Sequence, residues 1–412
     1  MKQMKDSGIE WIGKIPENWT LNRLLWCMEE VKEKNDPIQT TNVLSLTNKL
    51  GVIPYEEKGN QGNKAKEDYS EYGLAFKNTL VINSMNVLIG SVGISNYYGC
   101  VSPVYYVFRN TPNSDLGFIN YIFQTIPFQK ELRNYANGIL EIRLRISSHD
   151  MLRRIIPYPT LSDQKAISAY LDRQCAHIDN IIEKTKASIE EYKKLRQAVI
   201  SETLVSKGKA YKLSSVGTLK NGLNYHAIET KNNIKILGVG NFQENLVLNS
   251  AEQFSNLPID DEIPNECLLQ SGDIVFVRSN GSKDLVGRSV MVENIDFPLT
   301  YSGFCIRFRN ERTDIAYNKY LLYFFRSFEF RESIRYQCFG TNISNLSQDM
   351  ISSVKIMLPT INEQIEIATY LDRKCSEIAN MISKKEQFIS ELDNYKKSII
   401  YEYVTGKKEV AR

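Results

Sequence analysis

The sequence predicts an α+β chain built twice over. It has two domains of mixed α/β structure, each followed by a long helix, and the two helices form an antiparallel coiled coil in a pseudo-two-fold repeat. Three observations predict this. The stretch from Pro159 to Glu202 recurs without a gap from Pro359 to Glu402, and self-similarity at a fixed offset marks a repeated architecture. Both copies carry apolar residues at spacings of four and three, the signature of a heptad seam. The region before each copy mixes short β-rich runs, broken by Gly, Asn and Ser, with one helical stretch.

The chain has 412 residues, more than one hydrophobic core usually supports, so two or three domains are expected. A net charge of +3 is close to balance. Any phosphate binding must therefore come from local clusters and not from a whole-domain field. The seven cysteines include no C-x-x-C pair, which favours small buried hydrophobes over a zinc knuckle or a disulfide framework. No apolar run approaches the roughly 20 residues needed to cross a bilayer. Met1-Lys2-Gln3-Met4-Lys5-Asp6 has no signal-peptide core. A cytoplasmic location without membrane contact is expected.

In chain order the divisions are a first domain over 1–157, a helix segment over 158–208, a second domain over 209–354 and a helix segment over 355–412. In the helices, Tyr170-Leu171-Asp172-Arg173 returns unchanged as Tyr370-Leu371-Asp372-Arg373. Ser162 and Asn362 are the expected N-caps, with Asp163 and Glu363 placing negative charge at the helix start. The first seam runs Ile178, Ile182, Thr185, Ile189, Tyr192, Leu195, Val199. The second runs Ile378, Ile382, Lys385, Ile389, Leu392, Tyr395, Ile399, Tyr403. One amphipathic helix lying on a globular core would show a similar stripe, but two matching helices in one chain can pair with each other. Gly208 and Gly406, in basic tails, are suitable stops. The domains echo one another more faintly. Phe108-Arg109-Asn110 matches Phe308-Arg309-Asn310, and Asn86-Val87-Leu88-Ile89 resembles Asp273-Ile274-Val275-Phe276. Helical stretches follow over Phe118–Tyr135 and Ala316–Tyr336.

No catalytic constellation emerges. His149, His177 and His226 share no window and form no metal-binding pattern. Gly238-Val239-Gly240 lacks the third glycine and acidic partner of a dinucleotide site, so it reads as a turn. Gly406-Lys407 lacks the upstream glycine of a phosphate loop. The domains are instead rich in residues able to grip phosphates or base edges. Candidates are Lys58, Asn60, Gln61, Asn63 and Lys64 in one polar stretch, then Ser91, Asn96 and Tyr97, then Arg143 and Arg145. In the second domain they are Arg278, Asn280, Ser282, Lys283 and Arg288. The run Ser91–Tyr98 is read as the counterpart of Arg278–Lys283. Each loop alone has the composition of an ordinary surface loop; their recurrence in two repeated domains favours DNA contact.

With these residues assembled, the chain resembles the specificity (S) subunit of a bacterial or archaeal type I restriction–modification system over essentially its full length. The resemblance rests on the opening Gly8-Ile9-Glu10-Trp11-Ile12-Gly13-Lys14-Ile15-Pro16-Glu17-Asn18-Trp19. It rests also on Pro359 with Glu363-Gln364, on the strand Gly272-Asp273-Ile274-Val275-Phe276, and on the duplication. Pro159 with Asp163-Gln164 departs only by the shorter acid. The resemblance implies that each domain is a target-recognition domain reading one half of a bipartite, asymmetric DNA target. The helices would set the spacing of the half-sites: about 30 residues span about 45 Å, against about 34 Å for one DNA turn. They would also dock two methyltransferase (M) subunits through Ile178, Ile182, Ile189, Tyr192, Val199, Ile378, Ile382, Ile389, Leu392 and Ile399. Restriction (R) subunits would complete the complex. S-adenosylmethionine, ATP and Mg2+ would sit on those partners and none on this non-catalytic chain. The contrasting reading is a coiled-coil adaptor or scaffold that reads no DNA sequence.

Overall fold

The computed structural model describes residues 3–47, 51–58, 68–138, 144–204, 208–224, 233–242, 246–259, 263–282, 285–338 and 345–410, with the backbone alone over 335–338. The chain falls into two units, Met1–Thr185 with Glu386–Arg412, and Lys186–Lys385. Each long helix thus contributes to both.

Unit 1 is organised by a four-stranded antiparallel sheet in the order Met28–Glu30, Tyr105–Asn110, Leu80–Asn83, Val92–Ile94. Helices α1 (Leu116–Gln124) and α2 (Ile126–Arg133) follow the long strand. Asp115 caps α1 by accepting from the Phe118 N–H at 2.8 Å, which satisfies one of the orphan donors at a helix start. Phe118, Phe123 and Phe128 are fully buried, and Phe123 meets Phe128 edge-on at 5.2 Å. Each such side chain contributes about 1.5–3 kcal/mol by leaving water. Ser147 caps the short helix α3 (Ser148–Leu152). The strand Ile155–Tyr158 pairs with Thr20–Arg23 and hands the chain to α4 (Leu161–Thr203).

Unit 2 repeats the plan. Its sheet runs Gly217–Asn221, Cys305–Asn310, Ile274–Val277, Ser289–Val292, with Val247–Leu248 added in parallel at the edge. Helices α5 (Asn318–Arg326), α6 (Phe328–Cys338) and α7 (Gln348–Ser353) follow. Lys355–Leu358, which the sequence division placed with the second helix segment, is a strand pairing with Lys209–Lys212. It leads into α8 (Ile361–Val404).

The long helices run antiparallel within each unit. In unit 1 the start of α4 lies along the end of α8: Tyr170 stacks on Tyr403 at 4.6 Å, and Lys396 holds Asp179 at 2.7 Å. In unit 2 the end of α4 lies along the start of α8: the Lys385 ammonium sits 5.5 Å from the Tyr192 ring centre, and Ile200 shares a core with Ala368, Leu371 and Cys375. The helices have 43 and 44 residues, longer than the roughly 30 expected, because they begin at the repeated proline and first pack on their own domains.

Four further sequence expectations are corrected. The N-caps are not Ser162 and Asn362. Thr160 and Thr360 accept from the backbone of Asp163 and Glu363, and Glu363 answers to the Thr360 N–H at 2.9 Å, closing a capping box. The seam does not hold strict heptads. Leu195 and Tyr395 are about half exposed, whereas Ile200 and Ile400, one residue beyond the expected Val199 and Ile399, are buried, because a straight helix drifts about 20° per heptad and the contact line slips by one residue. The counterpart of Ile274–Val277 is Leu80–Asn83, not Asn86–Ile89: Phe108 faces Leu80 as Phe308 faces Ile274. Val87–Ile89 is a 3-10 turn. The fourth concerns Ser91 and is taken up with the loops. The match of Phe108-Arg109-Asn110 with Phe308-Arg309-Asn310 is real, since both end the same strand. The six described cysteine side chains are free and buried. Burial pushes the Cys27 thiol up to about 11, although Ser114 pulls the other way, and the Cys305 thiol up to about 12.

Candidate nucleic-acid interface and helix seam

Each sheet opens onto a corner where its third strand, Leu80–Asn83 or Ile274–Val277, leaves toward a loop. In unit 2 the Arg278 N–H donates to the Phe304 carbonyl at 2.8 Å, and the Arg278 carbonyl accepts from Leu346 N–H at 2.9 Å. In unit 1 Ser84 does the same between Val104 and Ile146, at 3.0 and 3.2 Å. Ser84 is therefore the counterpart of Arg278, and Arg145 that of Asn345. One backbone frame carries an arginine at one position in unit 2 and at another in unit 1. The Ser84 hydroxyl is fully buried on the Val104 carbonyl, whereas Arg278 is half-buried.

The same frame locates the loop ends. Val277 donates to the Arg288 carbonyl and Asn83 to that of Ser91, so Ser91 is the counterpart of Arg288. The sequence pairing of Ser91–Tyr98 with Arg278–Lys283 is thus corrected to Ser84–Ser91. Gly90 and Gly287 stand before these residues with φ of 79° and 80°, a left-handed conformation that only glycine adopts at no steric cost. Ser91 is 2 % exposed. Its place at the foot of the turn removes it from the surface.

Of the remaining candidates, Asn96 and Tyr97 are exposed at the tip between Val92–Ile94 and Gly99–Val101. Ser95 shapes that tip: its hydroxyl donates to the Tyr97 carbonyl at 2.9 Å and accepts from the Tyr97 N–H at 3.2 Å. Tyr98, the last residue of the run Ser91–Tyr98 but not one of its individual candidates, joins them. Its ring lies 5.6 Å from Phe76, and its hydroxyl reaches Gln39 at 3.3 Å. Phe304 was also missed: it is 57 % exposed beside Arg278. An exposed aromatic next to an arginine and an asparagine can stack on a sugar or base while its neighbours bond the edge; only the partnering of Phe304 with Arg278 by backbone bonds reveals it. Lys58 ends a 3-10 turn with its ammonium 5.4 Å from the Tyr55 ring centre. Arg145 is exposed. The Asn280 carboxamide accepts from the Ser282 N–H at 2.8 Å, an Asx turn that holds the loop. Asn60, Gln61, Asn63, Lys64, Arg143 and Lys283 lie outside the described residues.

Shared side chains lock each domain to its helix. Gln164 and Gln364 are fully buried. Each carboxamide oxygen accepts a backbone N–H at 2.9 Å, from Asp115 and from Tyr317, and each amide donates to the carbonyl of the repeated proline, Pro159 or Pro359. The Tyr121 and Tyr323 hydroxyls donate to Asp172 and Asp372 at 2.7 Å. Burial first, then those bonds, push both phenols well above the ordinary tyrosine range. Of the seam residues, Ile178, Ile182, Ile189, Ile378, Ile382 and Ile399 are buried, while Tyr192, Val199, Ile389 and Leu392 are half-buried. On the outer side of α8, Met381, Phe388 and Tyr395 recur every seven residues with 44–52 % exposure. The opening segment that contains Trp11 and Ile12 receives bonds from the end of α8: Tyr401 donates to the Trp11 carbonyl at 3.1 Å and Lys407 to the Ile12 carbonyl at 2.9 Å.

Among the described residues no group of three or more His, Cys, Asp or Glu side chains is placed to hold a metal ion, and no helix is long and apolar enough to cross a membrane.

Residues 206–391 match the family model described as the type I restriction modification DNA specificity domain. The chain is similar to the type I restriction enzyme StySPI specificity subunit of Salmonella potsdam, 25% identical over 302 residues, which cover 68% of this chain and 63% of that protein. It is similar to the EcoKI specificity subunit of Escherichia coli (25% over 313 residues, covering 71% of this chain and 65% of that one). The chain thus aligns with less than two thirds of either protein's length. The MjaVIII specificity subunit of Methanocaldococcus jannaschii aligns at 23% identity over 96% of this chain and 94% of its own. In fold, a chain from a study of complex assembly and conformational transition of the type I R-M system matches with a TM-score of 0.75 at 14% identity, covering 96% of this chain and 99% of that one. The HsdS subunit from Thermoanaerobacter tengcongensis matches with a TM-score of 0.54, also at 14% identity, covering 96% and 98%.

Proposed function

We propose that this chain, a member of the type I restriction–modification specificity-subunit family, reads a bipartite, asymmetric DNA target on behalf of catalytic partners. The observation that carries the reading is the repeated corner. Two domains share one backbone frame and one lock onto the long helices, yet differ in the side chains that frame carries, two of which are buried serines in unit 1 and arginines in unit 2. Ser84 stands for Arg278, Ser91 for Arg288, Val104 for Phe304 and Arg145 for Asn345. A reader of two unlike half-sites needs such divergence over a common scaffold, because phosphate contacts position the protein whereas base-edge contacts specify.

The rest of the proposal follows from that division of labour. The helices space the half-sites, and their outer faces dock two methyltransferase subunits. Restriction subunits join that core. S-adenosylmethionine, ATP and Mg2+ belong on those partners, since the target base must be drawn out of the duplex into a pocket of its own. Exchanging 1–157 for the equivalent domain of another such chain tests the reading. The complex methylating DNA in the host should then recognise a target altered in one half only. Change in both halves, or in neither, would contradict two independent readers.

A further inference from the structure

The corner of unit 2 carries an aromatic ring where that of unit 1 carries none. Phe304 is 57 % exposed, whereas Val104, at the same place in the same turn, is half-buried. The turn itself is shared: the Cys305 N–H donates to the Ser302 carbonyl at 2.8 Å, as the Tyr105 N–H does to the Ser102 carbonyl at 2.9 Å. The fold therefore does not require a phenyl ring here, and a ring left in water forgoes the gain of burial. The ring nonetheless stands on a fixed base. The Phe304 N–H donates to the Ser302 hydroxyl at 3.3 Å. Its carbonyl accepts from the Arg278 N–H at 2.8 Å, and the Gly303 N–H before it donates to the Leu223 carbonyl at 2.9 Å. A side chain whose backbone is already held loses less freedom when it binds.

The neighbour of the ring points to its ligand. Val277 pairs with Cys305, so Arg278 and Phe304 stand opposite one another one step further along. Residues opposite each other on antiparallel strands share a face, with Cβ atoms roughly 5 Å apart. No carboxylate among the described residues pairs with the Arg278 guanidinium. Unit 1 has Ser84 and Val104 at these two places. Along one DNA strand the units repeat about every 3.4 Å, so side chains rooted roughly 5 Å apart are spaced for neighbouring base pairs. In the major groove an arginine bonds the O6 and N7 of guanine, and an apolar side chain packs on the 5-methyl group of thymine.

We propose that Arg278 and Phe304 are a specificity-determining pair of unit 2, Arg278 reading a guanine and Phe304 the methyl group of a thymine in the next base pair. The inference rests on the DNA-reading function proposed above and adds to it what one half-site contains.

Binding of the full chain, purified with the methyltransferase subunits of its host, to a duplex carrying the motif methylated in that host tests it. Replacing one thymine at a time by uracil removes only the methyl group. At one position of the half-site read by unit 2, wild type should bind about fourfold more weakly, the worth of one buried methyl group, while Phe304→Ala binds the thymine and uracil duplexes alike. 7-Deazaguanine, which lacks N7, in the adjacent base pair should weaken wild type about tenfold and leave Arg278→Ala unaffected. The Phe304 arm decides alone if Arg278→Ala fails to fold. Sequence-specific binding that no uracil weakens, or that uracil weakens equally in Phe304→Ala, would overturn the proposal and leave the DNA-reading function standing. Equal binding to every duplex would remove that function, and this pair with it.

Discussion

Gln364 shows how one side chain can join a domain to a helix. It is fully buried on the first turn of α8 and serves the Tyr317 N–H, the Ile315 carbonyl and the Pro359 carbonyl at 2.8–2.9 Å. Gln164 repeats this with Asp115, Asn113 and Pro159. The recurrence of Gln one residue after the acid was visible in the sequence, but two of its three partners lie about fifty residues upstream and could not be read from spacing. Gln364→Leu keeps the volume and strands one buried donor and two acceptors, each costing roughly 1–3 kcal/mol. Urea unfolding should show a loss of about 3 kcal/mol, and a loss below about 1 kcal/mol would contradict the assigned role. The retained Phe-Arg-Asn tripeptide shows how far a partner can drift around a fixed residue. Arg309 makes two bonds to buried Asp273 at 2.7 and 2.8 Å, whereas Arg109 pairs with exposed Glu33 and lies 4.8 Å from the Phe76 ring centre.

At the scale of elements, the two long helices were the most legible part of the chain. Their pattern is local, and α4 and α8 begin within one residue of each other's counterpart. The capping residues were misplaced by two because Thr160 and Thr360 precede better-known capping types. Leu195 and Tyr395 were assigned to the seam because strict heptads ignore the drift of a straight helix. The strands were less legible. Leu80–Asn83 is buried throughout, so it lacks the alternation that marks a half-buried strand, and its equivalence to Ile274–Val277 depends on pairing with a distant strand. If the helices set the spacing of the two half-sites, inserting four residues, about one helical turn, into each of α4 and α8 should lengthen the spacer in the methylated target. An unchanged spacer would refute that role.

For the molecule as a whole, the duplication explains both what matches and what does not. The helix locks, the corner frame and the Phe-Arg-Asn strand are shared, while the side chains the frame carries differ. The sequence showed that the domains had diverged. It did not show which positions correspond, because Ser84 and Arg278 are equated only by hydrogen bonds to residues far along the chain, and Phe304 and Tyr98 stand out only once their exposure is known. The central claim is that this chain alone chooses the DNA sequence on which its partners act. Reading adenine methylation across the genome of the host, with this gene intact and with it deleted, tests that most directly. The account predicts one bipartite, asymmetric motif that disappears on deletion and returns when the gene is restored. A methylation pattern unchanged by the deletion, in cells whose partner methyltransferase is active, would contradict it.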